Sequence, residues 1–239
     1  MIADSQDFSL AMRLPGINII VFDLDDTLCS EKQFVKSGFQ AVSSWLKESG
    51  VAQRELFPEM WRRFCEGERG TVFNSVLEGA GIVPDDSLII KAVDVYRTHR
   101  PIVSLYPDAE FILNHFHGKK KTGLLSDGHL QSQKNKVKVL GIEHFFDIIV
   151  FTDALGRDFW KPHPAGYRRI MDKLGSTGED CLYVGDNPRK DFYGAQSLGW
   201  NTVQIIREDG VYIDAESMVS DYRADISIKD LKQLVSIVV

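Results

Sequence analysis

The sequence predicts an α/β fold: a doubly wound parallel sheet of about five strands, with helices on both faces and a helical segment inserted after the first strand. Three observations predict it. Short apolar runs recur along the chain, most segments between them carry helical periodicity, and the long interval between the first two runs contains helices only. With 239 residues and 44% hydrophobic content, the chain has enough apolar mass for a buried core.

The first predicted strand is the run Ile17 to Phe22. From Ser30 to about Arg100 no strand pattern follows. The first helix there starts at Ser30-Glu31-Lys32-Gln33, which has the spacing of a capping box, and carries Val35, Phe39, Val42 and Leu46 on one face. Further helices are predicted over Arg54 to Gly67, Thr71 to Ala80 and Pro84 to His99. At helical spacing, the aromatic residues Trp45, Phe57, Trp61, Phe64 and Phe73 read as the core of this bundle. Residues 29–105 are therefore expected to form an inserted helical cap, and residues 1–28 with 106–239 the catalytic core. Such an insertion leaves the sheet edge and returns to it, which is the position of a lid.

The remaining strands are predicted at Thr122 to Leu125, Asp147 to Phe151, Cys181 to Val184 and Thr202 to Ile206. Between the third and fourth lies a helix marked by Tyr167, Ile170, Met171 and Leu174, with Pro164 near its start and Gly175 past its end. Another is predicted from about Pro188 through Phe192, Ala195 and Leu198 to Gly199. In parallel sheets of this kind, ligands bind outside the carboxyl ends of the strands.

Composition excludes several function classes. A formal charge of -6 argues against a nucleic acid or anionic membrane partner, since either requires a net basic face. Cys29, Cys65 and Cys181 are too few and too far apart for a disulfide framework or a zinc knuckle, and read as reduced thiols. The N-terminal stretch is acidic early and lacks an apolar leader, and no run reaches the ~20 apolar residues of a membrane span. A cytoplasmic monomer or homodimer is expected.

Four strand ends carry polar residues. The stretch VFDLDDTL places Asp23, Asp25 and Asp26 directly behind the first apolar run. Like charges there repel one another and resist desolvation, so a positive partner is expected, usually a metal ion. LLSDGH places Ser126 at the second strand end, where its hydroxyl and the amides of Asp127 and Gly128 are suited to an anionic oxygen. RDFWKPHP offers Lys161 after the third strand, and VGDNPRKD offers Asp186 and Asp191 after the fourth. Each segment alone reads as a turn, a solvated lysine or a helix start. Together they form a complementary set, because carboxylate oxygens suit magnesium, while Lys161 and Ser126 suit the phosphate oxygens that complete a magnesium shell.

With these motifs in order, FDLDDTL, LLSDG, the Lys161 loop and GDNPRKD, the sequence resembles the haloacid dehalogenase (HAD) superfamily from about Ile17 to Leu234, in its phosphatase-like branch. The resemblance implies a Rossmann-like core with a helical cap after the first strand. It also implies magnesium-dependent hydrolysis of a small phosphorylated metabolite, with a sugar phosphate favoured. Asp23 matches the nucleophile that takes up phosphate, and Asp25 the general acid and base. Ser126, Asp127 and Lys161 match phosphate binders, with Thr27 as a supporting hydrogen bonder. Asp23, Asp25 through its backbone carbonyl, and Asp186 match the metal ligands, supported by Asp191 and Asn187. Asp25 favours phosphate over halide chemistry, because halide leaves without a proton donor. A sugar phosphomutase and a non-catalytic binding or regulatory protein on the same fold are the alternatives. In the cap, Arg54, Arg62, Arg63 and Arg69 read as surface charges balanced by glutamates, and His99 and Arg100 as part of a packed hinge.

Overall fold

The computed structural model describes residues 13–211 and 222–239. The reading of the N-terminal stretch, and the parts of the core assigned to residues 1–12 and 212–221, lie outside the described residues. The strands are β1 (Ile19–Phe22), β2 (Lys121–Ser126), β3 (Ile148–Phe151), β4 (Cys181–Gly185), β5 (Asn201–Ile205) and β6 (Ile226–Ile228). All pair in parallel, in the order β3-β2-β1-β4-β5-β6. Five of these were expected. The sixth, β6, is a three-residue strand interrupted by Ser227, too short to show as an apolar run.

The chain winds outward from β1 to β2 and β3, then returns to place β4 on the other side of β1 and continues to β5 and β6. The winding direction reverses between β1 and β4, which opens a crevice at their carboxyl ends. β1 can be continuously apolar because both its faces are covered. Ile20 and Phe22 join a cluster with Leu124, Leu182 and Val184, while Ile19 and Val21 join another with Tyr167, Tyr183 and Trp200. Each of these large side chains contributes roughly 1.5–3 kcal/mol on burial.

Four helices follow β1: α1 (Glu31–Glu48), α2 (Phe57–Cys65), α3 (Val72–Gly79) and α4 (Asp86–Thr98). They share a hydrophobic cluster of their own, built on Phe39, Val42, Leu46, Met60 and Phe64, with Trp45, Phe57, Trp61 and Phe73 packed against it. The capping box expected at Ser30 does not form, since the Ser30 side chain makes no cap bond. Gln33 instead accepts the Ser104 amide at 2.9 Å, and the Glu31 amide is taken by Asp26 at 2.8 Å. A distant donor has taken the Gln33 oxygen, and Asp26, just upstream, supplies the acceptor at the helix start.

The core helices are α5 (Pro107–Phe116), α6 (Leu130–Leu140), α7 (Ala165–Leu174), α8 (Tyr193–Gln196) and α9 (Leu234–Ile237). The helix expected from about Pro188 shrinks to the four residues of α8. Asn187 and Asp191 build a turn there, the Asn187 side chain accepting the Arg189 amide at 3.0 Å and Asp191 accepting the Asn187 amide at 2.8 Å. The three cysteines are free, Cys29 and Cys181 buried and Cys65 exposed. Among the described residues, no helix is long and apolar enough to cross a membrane.

Candidate active site

Asp23, Lys161, Asp186 and Asp191, predicted at or after three of the strand ends, come together at the crevice between β1 and β4. Asp23 follows β1 directly, its amide bonded to the Val184 carbonyl at 2.8 Å, and it is buried. Lys161 reaches it from the loop after β3, with Nζ 2.6 Å from Asp23 Oδ1, 2.7 Å from Asp191 Oδ1 and 2.9 Å from the Tyr183 hydroxyl. The Lys161 side chain is thus fully enclosed, and the segment leading to it from β3 forms two short 3₁₀ turns at Thr152–Leu155 and Arg157–Phe159. Burial opposes the Lys161 charge, but Asp191 and Asp23 outweigh it and hold its pKa well above the ordinary lysine value. Burial likewise opposes ionisation of Asp23, yet Lys161 and Lys190 draw its pKa below the usual carboxylate value.

The donor set fits a divalent cation. Asp23, Asp186 and Asp191 each offer a carboxylate oxygen, and these atoms lie within 4.8 Å of one another. Both Asp191 oxygens are engaged, by Lys161 and by the Asn187 amide, so this side chain braces the site. Asp23 Oδ2 is buried and has no hydrogen-bond partner among the described residues. Burial, then the Asp191 and Asp23 charges, push the Asp186 pKa well above the carboxylate range, the signature of acidic groups short of positive charge. Gly185 makes room for this packing, because a Cβ there would lie 2.5 Å from Asp191 Oδ2.

Around this centre the other expected residues take distinct places. Ser126 ends β2, and its hydroxyl has only a 3.5 Å contact with the Asp127 carbonyl. Thr27 Oγ1 is buried without a partner, while the Thr27 carbonyl accepts from Arg207 at 2.6 Å. The Asp127 carboxylate faces the protein, accepting from the Thr152 hydroxyl at 2.6 Å and the Lys161 amide at 3.2 Å. It fastens the loop after β2 to the loop after β3. Asn187 also stays within its turn.

Asp25 stands apart from the Lys161 cluster. Lys136 Nζ lies 2.6 Å from each of its oxygens, and Gln133 Nε2 lies 3.1 Å from Oδ2. Sequence reasoning missed Lys136, Gln133 and also Lys190, which is half-buried beside the acidic group. One signal was present in α6: the sequence LQSQKNKVKVL is polar nearly all round, yet a helix packed on a sheet must turn some of that polarity inward. Glu31 was missed as well, and burial together with Asp25 and Asp26 raises its pKa to about 7.

Among the cap arginines, Arg62 pairs with Glu59 and Glu66, and Arg63 with Glu59 and Glu68, as expected of surface charges. Arg69 differs, stacking 3.8 Å over the Phe64 ring. Both ring nitrogens of His99 are used within the protein, by Ser37 Oγ at 2.9 Å and the Tyr96 carbonyl at 2.6 Å, so the ring is packed as expected.

Residues 17–199 match the sequence profile of the haloacid dehalogenase-like hydrolases. The chain belongs to this family. Within it, the chain is 30% identical over 230 residues to the glyceraldehyde 3-phosphate phosphatase of Methanopyrus kandleri, covering 93% of this chain and 97% of that one. The protein of the same name from Methanocaldococcus jannaschii is 30% identical over 227 residues, covering 92% and 96%. In fold, the HAD-hydrolase YfnB from Bacillus subtilis, solved bound to magnesium, is similar with a TM-score of 0.65 at 19% identity, over 92% of this chain and 98% of that one. This HAD hydrolase is therefore an enzyme by family, and its parallel α/β core is that of its relatives.

Proposed function

We propose that this HAD hydrolase cleaves a small phosphate monoester through an aspartyl-phosphate on Asp23, with magnesium as cofactor. The observation that carries the reading is the buried, unpartnered Asp23 Oδ2 beside Asp186 and Asp191, with Lys161 locked against the other Asp23 oxygen. Asp23 and Asp186 would hold the ion together with the Asp25 backbone carbonyl, and Asp191 and Asn187 would brace them. When bound, magnesium would neutralise phosphoryl oxygen charge and shield the Asp23 carboxylate from the phosphate dianion.

Phosphoryl transfer depends mostly on in-line positioning and charge neutralisation. Lys161, the Ser126 and Thr27 hydroxyls and the Asp127 amide would grip the phosphoryl oxygens. An Asp23 oxygen forms its bond to phosphorus as the ester P–O bond breaks, and Asp25 gives its proton to the leaving oxygen. Asp25, now a carboxylate, takes a proton from water, whose oxygen attacks phosphorus and releases inorganic phosphate and free Asp23. The helices of residues 29–105 would act as a cap over the core of residues 1–28 and 106–239 and exclude bulk water.

The substrate class is a small phosphorylated metabolite, with a sugar phosphate favoured. The named activity of the archaeal relatives, which match nearly end to end, supports a three-carbon phosphate as first choice. The enzyme would work in the cytoplasm as a monomer or homodimer, without nucleic acid or membrane partners. The test is phosphate release from 4-nitrophenyl phosphate and from a panel of phosphorylated metabolites, with and without magnesium. Release that stops on chelation and in Asp23→Asn is expected. Release indifferent to both would overturn the assignment.

A further inference from the structure

We propose that Lys136 is a positioning residue for the acid–base work of Asp25, and that through α6 it ties this carboxyl group to the inserted helices. The inference rests on the hydrolytic reading above. The Lys136 side chain is 3% exposed, and its ammonium contacts both Asp25 oxygens at 2.6 Å. Burying an ammonium costs several kcal/mol unless a carboxylate meets it closely. Lys161 pairs with Asp23 and Asp191, and among the described residues the hydrogen bonds of the Lys136 ammonium go to Asp25.

One further contact holds the Asp25 carboxyl group, and another holds the Lys136 ammonium. Gln133, three residues earlier on the same helix, donates to Asp25 Oδ2 at 3.1 Å and to the Asp127 carbonyl at 2.7 Å. On the far side the Phe34 ring of α1 lies 4.4 Å from the Lys136 ammonium, so an inserted helix forms one wall of the ion pair. Helix α6 also holds the end of α4. Ser132 Oγ donates to the Arg97 carbonyl at 3.0 Å, and Asn135 Nδ2 to the carbonyls of Thr98 and His99 at 3.2 Å each. One rigid element thus sets both the carboxyl group and the segment where the inserted helices rejoin the core. Displacement of either reaches the other.

Leaving-group chemistry separates positioning from mere structural support. In the first half-reaction the O–P bond to Asp23 forms, the ester bond breaks, and the Asp25 proton passes to the leaving oxygen. A sugar alkoxide needs that proton, whereas 4-nitrophenolate leaves without it. The measurement is kcat/KM of Lys136→Met for glyceraldehyde 3-phosphate and for 4-nitrophenyl phosphate, since this ratio reports steps only as far as the aspartyl-phosphate. A misplaced catalytic group costs on the order of 100-fold. The alkyl substrate is expected to lose at least about ten times more than the aryl one, with Lys136→Arg recovering most of the loss.

Equal losses on the two substrates, or no loss on the alkyl one, would overturn the proposal. If Lys136→Met does not fold, Gln133→Leu carries the same comparison, with a smaller selective loss expected and equal losses counting against it. A wild-type protein inert toward both substrates would instead overturn the hydrolytic reading on which this one stands.

Discussion

Asp26 Oδ1 accepts the backbone amide of Glu31 at 2.8 Å, so the third aspartate of the opening motif caps α1. Its other oxygen accepts the Val211 amide at 2.7 Å, and the residue itself has φ of 51°. Asp26 serves the fold, whereas Asp23 and Asp25 are the residues proposed to carry the chemistry. Asp26→Ala removes a helix cap and leaves a second amide unpaired, for an expected loss of roughly 2–4 kcal/mol in urea unfolding. Asp26→Asn keeps one acceptor and should lose about half as much. Equal stability of Asp26→Ala and wild type would contradict this role.

Gly38 gives a sign reversal. Alanine normally stabilises a helix interior over glycine by about 0.8–1 kcal/mol. In α1, however, a Cβ at position 38 would lie 2.5 Å from Tyr96 Cε2 and 3.2 Å from His99 Cε1. Overpacking of this kind costs roughly 1–3 kcal/mol. Gly38→Ala should therefore lower the unfolding midpoint, and a raised midpoint would show that the Tyr96 ring yields easily.

Asp108 sets an acid limit on stability. Its Oδ2 accepts from Arg207 at 2.7 Å and from the Leu231 amide at 2.9 Å. Burial opposes its ionisation, but these two donors outweigh burial and hold its pKa below the ordinary carboxylate value. A depressed carboxylate contributes its full stabilisation above the unfolded value near 4, and loses it as pH falls through the lower, folded value. Asp108→Asn should cost roughly 2 kcal/mol at pH 7, and the gap to wild type should close as the medium is acidified below about pH 4. A gap independent of pH would mean that shape, not charge, does the holding.

In the proposed reading, metal and lysine share the neutralisation of the acidic centre, so each should report in unfolding experiments. Magnesium at about 100 times its Kd should stabilise the wild type by roughly 2.7 kcal/mol, seen as a rise in Tm. Asp186→Asn should lose most of that rise. Lys161→Met strands two buried carboxylates, for an expected loss of about 3–5 kcal/mol without magnesium and less with it. A Tm of Asp186→Asn that responds to magnesium as the wild type does would remove Asp186 from the ligand set.

The sheet was legible in the sequence where burial on both faces forces continuous apolar runs, as in Ile19–Phe22 and Cys181–Gly185. The strand Ile226–Ile228 was not, because three residues with a central serine carry too little pattern. The positions of Asp23, Ser126 and Asp186 were legible because each directly follows or ends a strand, and parallel strands gather their ends along one edge; Lys161 and Asp191 lie farther out, in the loops after β3 and β4. Local motifs misled where a distant partner competed. Gln33 fits a capping box in sequence, but Ser104, far along the chain, claims its oxygen. Lys136 pairs with Asp25 across 111 residues, and no local periodicity encodes such a contact.

Rapid acid quench of the enzyme with substrate and magnesium, followed by peptide mass spectrometry, probes the proposed passage of phosphate through Asp23. One added phosphoryl group is expected on the peptide carrying Asp23, appearing within the first turnover, persisting longer in Asp25→Asn and absent from Asp23→Asn. Full turnover with no phosphorylated peptide at any quench time, or a phosphoryl group on another residue, would contradict it.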